Sequence, residues 1–176
     1  FHQRGIHATS ACGVLAAALA AARLTGLDRG QAVSALGIAG SQAAGLLEFL
    51  ATGASTKQLH PGLAAQSGIL AARLAAAGAE GPASVLEGER GFFAALADAR
   101  VTPESLLQGL GERWECARIT IKPYPSCQLM HSTLDAGRYV LPLVDDDAPD
   151  DIDVVTADVH PDSAAIVCRP GGETPR

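Results

Sequence analysis

The 176-residue sequence is poor in aromatic residues, at 4%, and holds one Trp, one Met and four Cys. It has no excess of positive charge, with 13 Lys plus Arg against 19 Asp plus Glu. Binding to phosphate backbones needs clustered Lys and Arg to release counterions, so nucleic acid is not an expected partner. Long hydrophobic runs are missing as well. The most apolar stretch, Val14 to Ala22, is stopped by Arg23 well short of the roughly 20 residues a bilayer span needs. No basic leader-type segment precedes it. These absences give the expectation of a cytoplasmic protein without a membrane partner. The Cys residues, at 12, 116, 127 and 168, lack the CxxC spacing of a zinc knuckle or dithiol redox motif and read as reduced thiols.

What is abundant is Ala, Leu and Gly, placed at helical spacing from Ala8 to about Arg100. Ser10 is expected to cap a helix running to about Leu24, with Gly26 beyond its end. Asp28 caps the next, through Val33, Leu36 and Ile38, and Gln42 to Leu50 reads as another. After a small-residue loop, Ala51 to Thr56, Pro61 is placed as the first residue of a helix that ends near Ala77 at Gly78. Shorter helices are expected at Pro82 to Leu86, Gly91 to Ala97 and Pro103 to Leu110. Ala-rich helices approach closely but each buries little area, so many must pack together.

The composition changes after Trp114. Ala117 to Ile121 alternates like a strand, Lys122-Pro123-Tyr124-Pro125 interrupts regular structure, and Ser126 is expected to cap a helix through about Val140. Acidity is concentrated at the end: residues 141 to 176 hold nine acidic and two basic residues, which accounts for the net charge of −6. Within that stretch, Ile152 to His160 reads as a second strand. The expected fold class is therefore mainly α with an α+β part, divided into a helical portion, 1–115, and an α+β portion, 116–176. The start at Phe1, the end at Arg176 and the shortage of strands give the expectation of an internal piece of a longer protein, with a poorly cooperative melt in isolation.

Only two of the basic residues are Lys, and both have unusual neighbours: Ser55-Thr56-Lys57-Gln58-Leu59-His60-Pro61 and Ile121-Lys122-Pro123-Tyr124-Pro125-Ser126-Cys127. A third polar cluster is Gly5-Ile6-His7-Ala8-Thr9-Ser10. Each stands ahead of an expected helix N-terminus, where free N–H groups and the helix dipole attract anions. Three such ends brought together would suit a small polycarboxylate. Structural readings stand beside these: His60 as a helix cap, Lys122 as a solvated side chain, Tyr124 as a core ring, Cys127 as a packing residue. His131 follows Cys127 by one turn, but no third ligand completes a metal site. Asp145 to Asp151 lacks the Gly and terminal Glu of a calcium loop and reads as an acidic linker.

Taken together, the segments resemble the MmgE/PrpD family of 2-methylcitrate dehydratases, cis-aconitate decarboxylases and related epimerases. The resemblance is carried by Gly5-Ile6-His7-Ala8-Thr9-Ser10-Ala11-Cys12-Gly13, by Ala35-Leu36-Gly37-Ile38-Ala39-Gly40-Ser41-Gln42-Ala43-Ala44-Gly45-Leu46, and by the two lysine segments. It implies an all-helical large domain joined to a smaller α+β lid, a homodimer, and an active site without metal or organic cofactor. By the same resemblance His7, Lys57 and Lys122 are catalytic, and Thr9, His60, Tyr124 and Cys127 contact substrate. Cys127 stands five residues after the motif Lys, where animal-type decarboxylases of the family carry a His. The implied activity is therefore a lyase that dehydrates a 2-methylcitrate-like hydroxy polycarboxylate. A related isomerase or decarboxylase is the first alternative, and a carboxylate-binding scaffold without turnover is the second.

Overall fold

The structure, a computed structural model, describes residues 1–143 and 153–168. The chain divides after Leu110 into two compact units. In the first, a short 3-10 turn at His2–Arg4 precedes α1 (Ala8–Leu24), α2 (Arg29–Ser41), α3 (Phe49–Thr52), α4 (Thr56–Ala76), α5 (Phe92–Ala97) and α6 (Pro103–Leu107).

The long helices α1, α2 and α4 pack on one another, most extensively α1 against α4. Their shared core is made of small residues: Ala11, Val14, Leu15, Ala18, Ala39, Ala64 and Ala71 form one cluster with Phe92, and Ala22, Ala35, Ala72 and Ala75 another. Val14 is the largest side chain that is wholly buried. Such faces let helix axes come to the short end of the usual 8–10 Å range. Gly68 on α4 marks the tightest approach to α1, because a Cβ built there would stand 2.5 Å from the Ala17 Cβ and 2.7 Å from the Val14 carbonyl oxygen.

Local chemistry explains most boundaries. Asp28 caps α2 with a reciprocal pair, its Oδ1 accepting from the Gln31 N–H at 2.8 Å and its own N–H donating to Gln31 Oε1 at 3.1 Å. Thr102 and Ser105 do the same for α6, with Pro103 at its first position. Beyond α1 and α4, Gly26 and Gly78 adopt positive φ.

Several expectations are corrected. His7, not Ser10, is the N-cap residue of α1, and Ser10 is buried inside the helix. The expected helix from Gln42 to Leu50 is a loop followed by the single turn of α3, because Gly45 takes a φ of 114° and brings its backbone against Ser10. Pro61 does not begin its helix: α4 starts at Thr56 and carries Pro61 internally. A proline there has no N–H to give the carbonyl four residues earlier, so the Lys57 carbonyl loses its intrahelical partner. Residues 83–87 form hydrogen-bonded turns instead of a helix.

The second unit contains 3-10 turns at Glu115–Arg118, Gln128–Met130 and Leu141–Leu143, with α7 (His131–Val140) and α8 (Pro161–Val167). Among the described residues there is no strand; an isolated bridge between Ile6 and Leu46, in the first unit, is the nearest approach to one. The expected strand at Ala117 to Ile121 is a 3-10 turn running into an extended segment, with Ile119 and Ile121 exposed. An alternating pattern becomes a strand only where a neighbouring strand accepts its backbone hydrogen bonds, and here the Ala117 N–H donates instead to the Trp114 carbonyl at 3.1 Å within a local turn. Of the second expected strand, residues 153–160 are irregular, and Ile152 lies outside the described residues, as does the acidic linker Asp145 to Asp151. Ser126 does not cap α7 directly; the turn at Gln128–Met130 leads into it.

Candidate functional site

Of the residues singled out from the sequence, the first unit brings His7, Lys57 and His60 into one cluster. His7 is held at the N-cap of α1 in an extended conformation. Its N–H donates to the Gly45 carbonyl at 2.9 Å, and the Leu47 N–H donates to the Gly5 carbonyl at 2.8 Å, so the loop between α2 and α3 is laced to the start of α1. His60 stands on the second turn of α4 and is only 7% exposed. The two imidazoles meet with Nδ1 of His7 2.8 Å from Nδ1 of His60.

The Phe49 ring completes a triangle with them, edge-on to His7 at 5.7 Å and to His60 at 5.6 Å between centroids. Lys57, one turn before His60, is exposed and places its Nζ 5.8 Å from the centroid of the same ring. The start of α1 and the first turns of α4 thus meet, but Lys57 and His60 lie inside α4 and not ahead of its N-terminus as expected. Burial, together with the charges of His60, Lys57 and His2, lowers the pKa of His7 from its ordinary value. The imidazole is therefore held neutral, the form able to accept a proton, further into the acid range. Thr9 is exposed on the first turn of α1.

Behind His60 lies a cavity of about 160 Å³ lined by Ser10, Gln42, Gly45, His60, Ala64 and Ser67 among others. The Gln42 amide nitrogen is buried without a hydrogen-bond partner among the described residues. Gly45 is required where it stands, since a Cβ there would meet the Ser10 Cβ at 2.5 Å and His60 Nδ1 at 3.5 Å.

The second unit holds Lys122, Tyr124 and Cys127. Lys122 is exposed, and its Nζ donates to the Ser126 carbonyl at 3.0 Å, which folds the Pro-Tyr-Pro segment back on itself. Lys122 therefore sits in an irregular segment and not at a helix N-terminus. The Tyr124 hydroxyl donates to Asp135 Oδ1 and accepts from Arg138 Nη1 at 3.4 Å, both on α7. Its ring stands edge-on to His131 at 5.2 Å. His131 is buried, and its Nε2 has no partner among the described residues. Cys127 is half-buried, and all four cysteines are free.

Sequence reasoning missed Phe49, Gly45 and the Asp135–Arg138 pair. No spacing rule marks Phe49, whose role follows from the fold of the loop around it. Gly45 lies within the recognised segment ending at Leu46, and its position in a family signature was a signal that could have singled it out. Asp135 and Arg138, three apart on α7, could have been read as a same-face pair.

A helical unit that sets a half-buried imidazole against a buried one, beside an exposed lysine, defines a class of site suited to proton transfer. The MmgE/PrpD N-terminal domain matches residues 1–104. The cis-aconitate decarboxylase of Aspergillus terreus is 36% identical over 146 residues, covering 77% of this chain and 30% of that protein. The Homo sapiens cis-aconitate decarboxylase is 35% identical over 136 residues, covering 76% and 27%. The cis-aconitate decarboxylase-like protein oryM of Aspergillus oryzae is 30% identical over 139 residues, covering 76% and 29%. The chain belongs to the MmgE/PrpD family, and it spans less than a third of the length of these relatives.

Proposed function

We propose that the protein carrying this chain is a lyase acting on a small polycarboxylate, with His7 as its proton-transfer group and Lys57 and Lys122 as cations for the substrate's carboxylates. The observation that carries this reading is the Nδ1–Nδ1 contact of His7 and His60 at 2.8 Å, with Lys57 over the ring that packs against both. A lyase of this kind must stabilise an electron pair that develops beside a carboxylate. Fixed cations lower the energy of that charge as it forms, and an imidazole kept neutral near physiological pH serves as base and then as acid.

Decarboxylation of cis-aconitate is the first form of the proposal, supported by the names of the relatives. One carboxylate leaves as carbon dioxide, its bonding pair stays on the remaining carbon skeleton, and a proton that His7 takes from solvent and passes on neutralises that pair, leaving the imidazole neutral. Dehydration of a 2-methylcitrate-like hydroxy acid is the second form. There His7 removes a proton next to a carboxylate, the pair forms the carbon–carbon double bond, and hydroxide leaves as water after protonation. It is supported by Cys127, which stands where the resemblance implies a His in animal-type decarboxylases. His131, one turn on, is packed against Tyr124 and buried, so it is not offered as a replacement at that position.

The test is to give the complete protein cis-aconitate and 2-methylcitrate separately, following carbon dioxide release and ultraviolet absorbance. Carbon dioxide from cis-aconitate establishes the decarboxylase; a conjugated alkene acid from 2-methylcitrate without carbon dioxide establishes the dehydratase. Solvent deuterium in recovered substrate with neither product shifts the reading to an isomerase. Thermal stabilisation by these acids without any turnover overturns the enzyme reading in favour of a binding scaffold. Replacing Lys57 or Lys122 by Ala is expected to lower kcat/KM on the order of 10²-fold or more; near wild-type rates in both variants would remove the mechanism.

A further inference from the structure

We infer that His60 is the positioning residue of the proton-transfer site, fixing the tautomer of His7 through the Nδ1–Nδ1 hydrogen bond and restricting the two rings to one added proton. The inference rests on His7 being the proton-transfer group. Two facing ring nitrogens at 2.8 Å must be one donor and one acceptor, so in the neutral pair one ring carries its hydrogen on Nδ1 and the other on Nε2. When His7 is the Nδ1–H tautomer, its Nε2 lone pair is free to take a proton from substrate. The imidazolium so formed keeps its Nδ1–H···Nδ1 bond to His60 and can pass that hydrogen across. His7 is then left with the new proton on Nε2 while the charge sits on His60, and return of the shared hydrogen to His7 Nδ1 readies the Nε2 proton to be given back. A second added proton would set two N–H groups against each other and is excluded.

The surroundings support this role over direct contact with substrate. His60 is 7% exposed, whereas Lys57, on the preceding turn of the same helix, is open to solvent. Gly45, where a Cβ would collide with Ser10 at 2.5 Å, packs its backbone beside the ring, a built Cβ lying in ordinary contact at 3.5 Å from His60 Nδ1. The cavity of about 160 Å³ that His60 lines carries Ser10, Gln42 and Ser67 beside Val14, Leu63 and Ala64, and it has room for a water able to hydrogen-bond a charge received by His60. The groups facing His7 are His60 and Lys57 from α4, His2 from the N-terminal turn and the Phe49 ring from α3.

The experiment is nitrogen-15 NMR of histidine-labelled complete protein, for wild type, His60→Phe and His60→Asn, together with kcat and KM. Wild-type His7 is expected to show a single tautomer, and the two rings never to carry two added protons while the Nδ1–Nδ1 contact holds. His60→Phe should give His7 the mixed tautomers of a free imidazole and lower kcat on the order of 10²-fold with KM largely unchanged. His60→Asn, whose amide can occupy the Nδ1 position, should restore the single tautomer and part of kcat; if the Phe variant does not fold, the Asn variant and the wild-type spectra decide. Mixed tautomers in wild type, independent protonation of both rings, or a rise in KM with kcat intact in either variant would overturn the inference. The spectra need no substrate, so an absence of turnover would count against the proposed activity alone.

Discussion

His7 and His60 are 53 positions apart in the chain and meet through the packing of α1 against α4, whereas the described hydrogen bonds around Lys122 and Tyr124 span between 4 and 14 positions. The first unit brings its candidate residues together by tertiary structure, and the second unit brings its own together by local folding. Contacts of the first kind stand or fall with the helix interface, and those of the second can be lost singly. Burial runs the same way: among the described residues the buried hydrophobic ones lie in the first unit, while Ile119, Ile121, Tyr139 and Leu143 of the second are exposed.

The sharpest way to break this contrast is Gly68→Ala. The added methyl would stand 2.5 Å from the Ala17 Cβ, 2.6 Å from the Ala18 nitrogen and 2.7 Å from the Val14 carbonyl oxygen, contacts that only a separation of α1 and α4 relieves. A loss of about 2 kcal/mol is expected, at the middle of the range for overpacking. Urea unfolding of the complete protein measures it, and the histidine spectra should change with it. A variant as stable as wild type with the His7 signals unmoved would mean that the imidazole pair does not depend on that interface.

A step lower is Asp28→Ala, which removes the reciprocal cap of α2 and is expected to cost about 1 kcal/mol. Because α2 packs on both α1 and α4, the loss should appear in the same unfolding transition as that of Gly68→Ala. Two separate transitions would show that α2 is not part of the same cooperative body. Smaller again is Tyr124→Phe, which deletes an exposed hydroxyl shared between Asp135 and Arg138. It should cost about 0.5 kcal/mol. Its signature is where the change falls: signals of residues 122 to 138 should move while those of His7 and His60 stay in place.

The same division explains what was legible in the sequence. Asp28 and Pro103 mark helix starts by chemistry confined to three or four neighbours, and the structure follows them. Gly26 and Gly78 likewise lie past helix ends. Pro61 misled because proline is compatible with a first turn but does not require one, and the helix extends past it toward Thr56. Ala117 to Ile121 misled because alternation states which face a strand would bury, not whether a partner is present. For the site, residue type and the family resemblance singled out His7, Lys57 and His60. Their relationship was not legible, since it arises where α1 and α4, separated in the chain by α2 and α3, pack on one another. Phe49, which touches both imidazoles, belongs to that crossing and to no motif.

The smallest effect expected is a pH dependence of stability that belongs to the first unit. Burial first, and then the charges of His60, Lys57 and His2, hold the His7 pKa below its ordinary value near 6.5. As pH falls through that value the unfolded chain takes up a proton at His7 that the folded chain still refuses. The unfolded state then binds more protons, and stability must fall with falling pH. Above about pH 7.5 both states are neutral at this residue, and the contribution is flat. The His7 ring is open enough to solvent that screening keeps the effect to a fraction of a kcal/mol. Urea unfolding at pH 7.5 and pH 5.5, for wild type against His7→Gln, isolates it as the difference between the two proteins' pH dependences. An equal dependence in both would place the acid sensitivity elsewhere and leave the imidazole pair without the electrostatic cost that its packing implies.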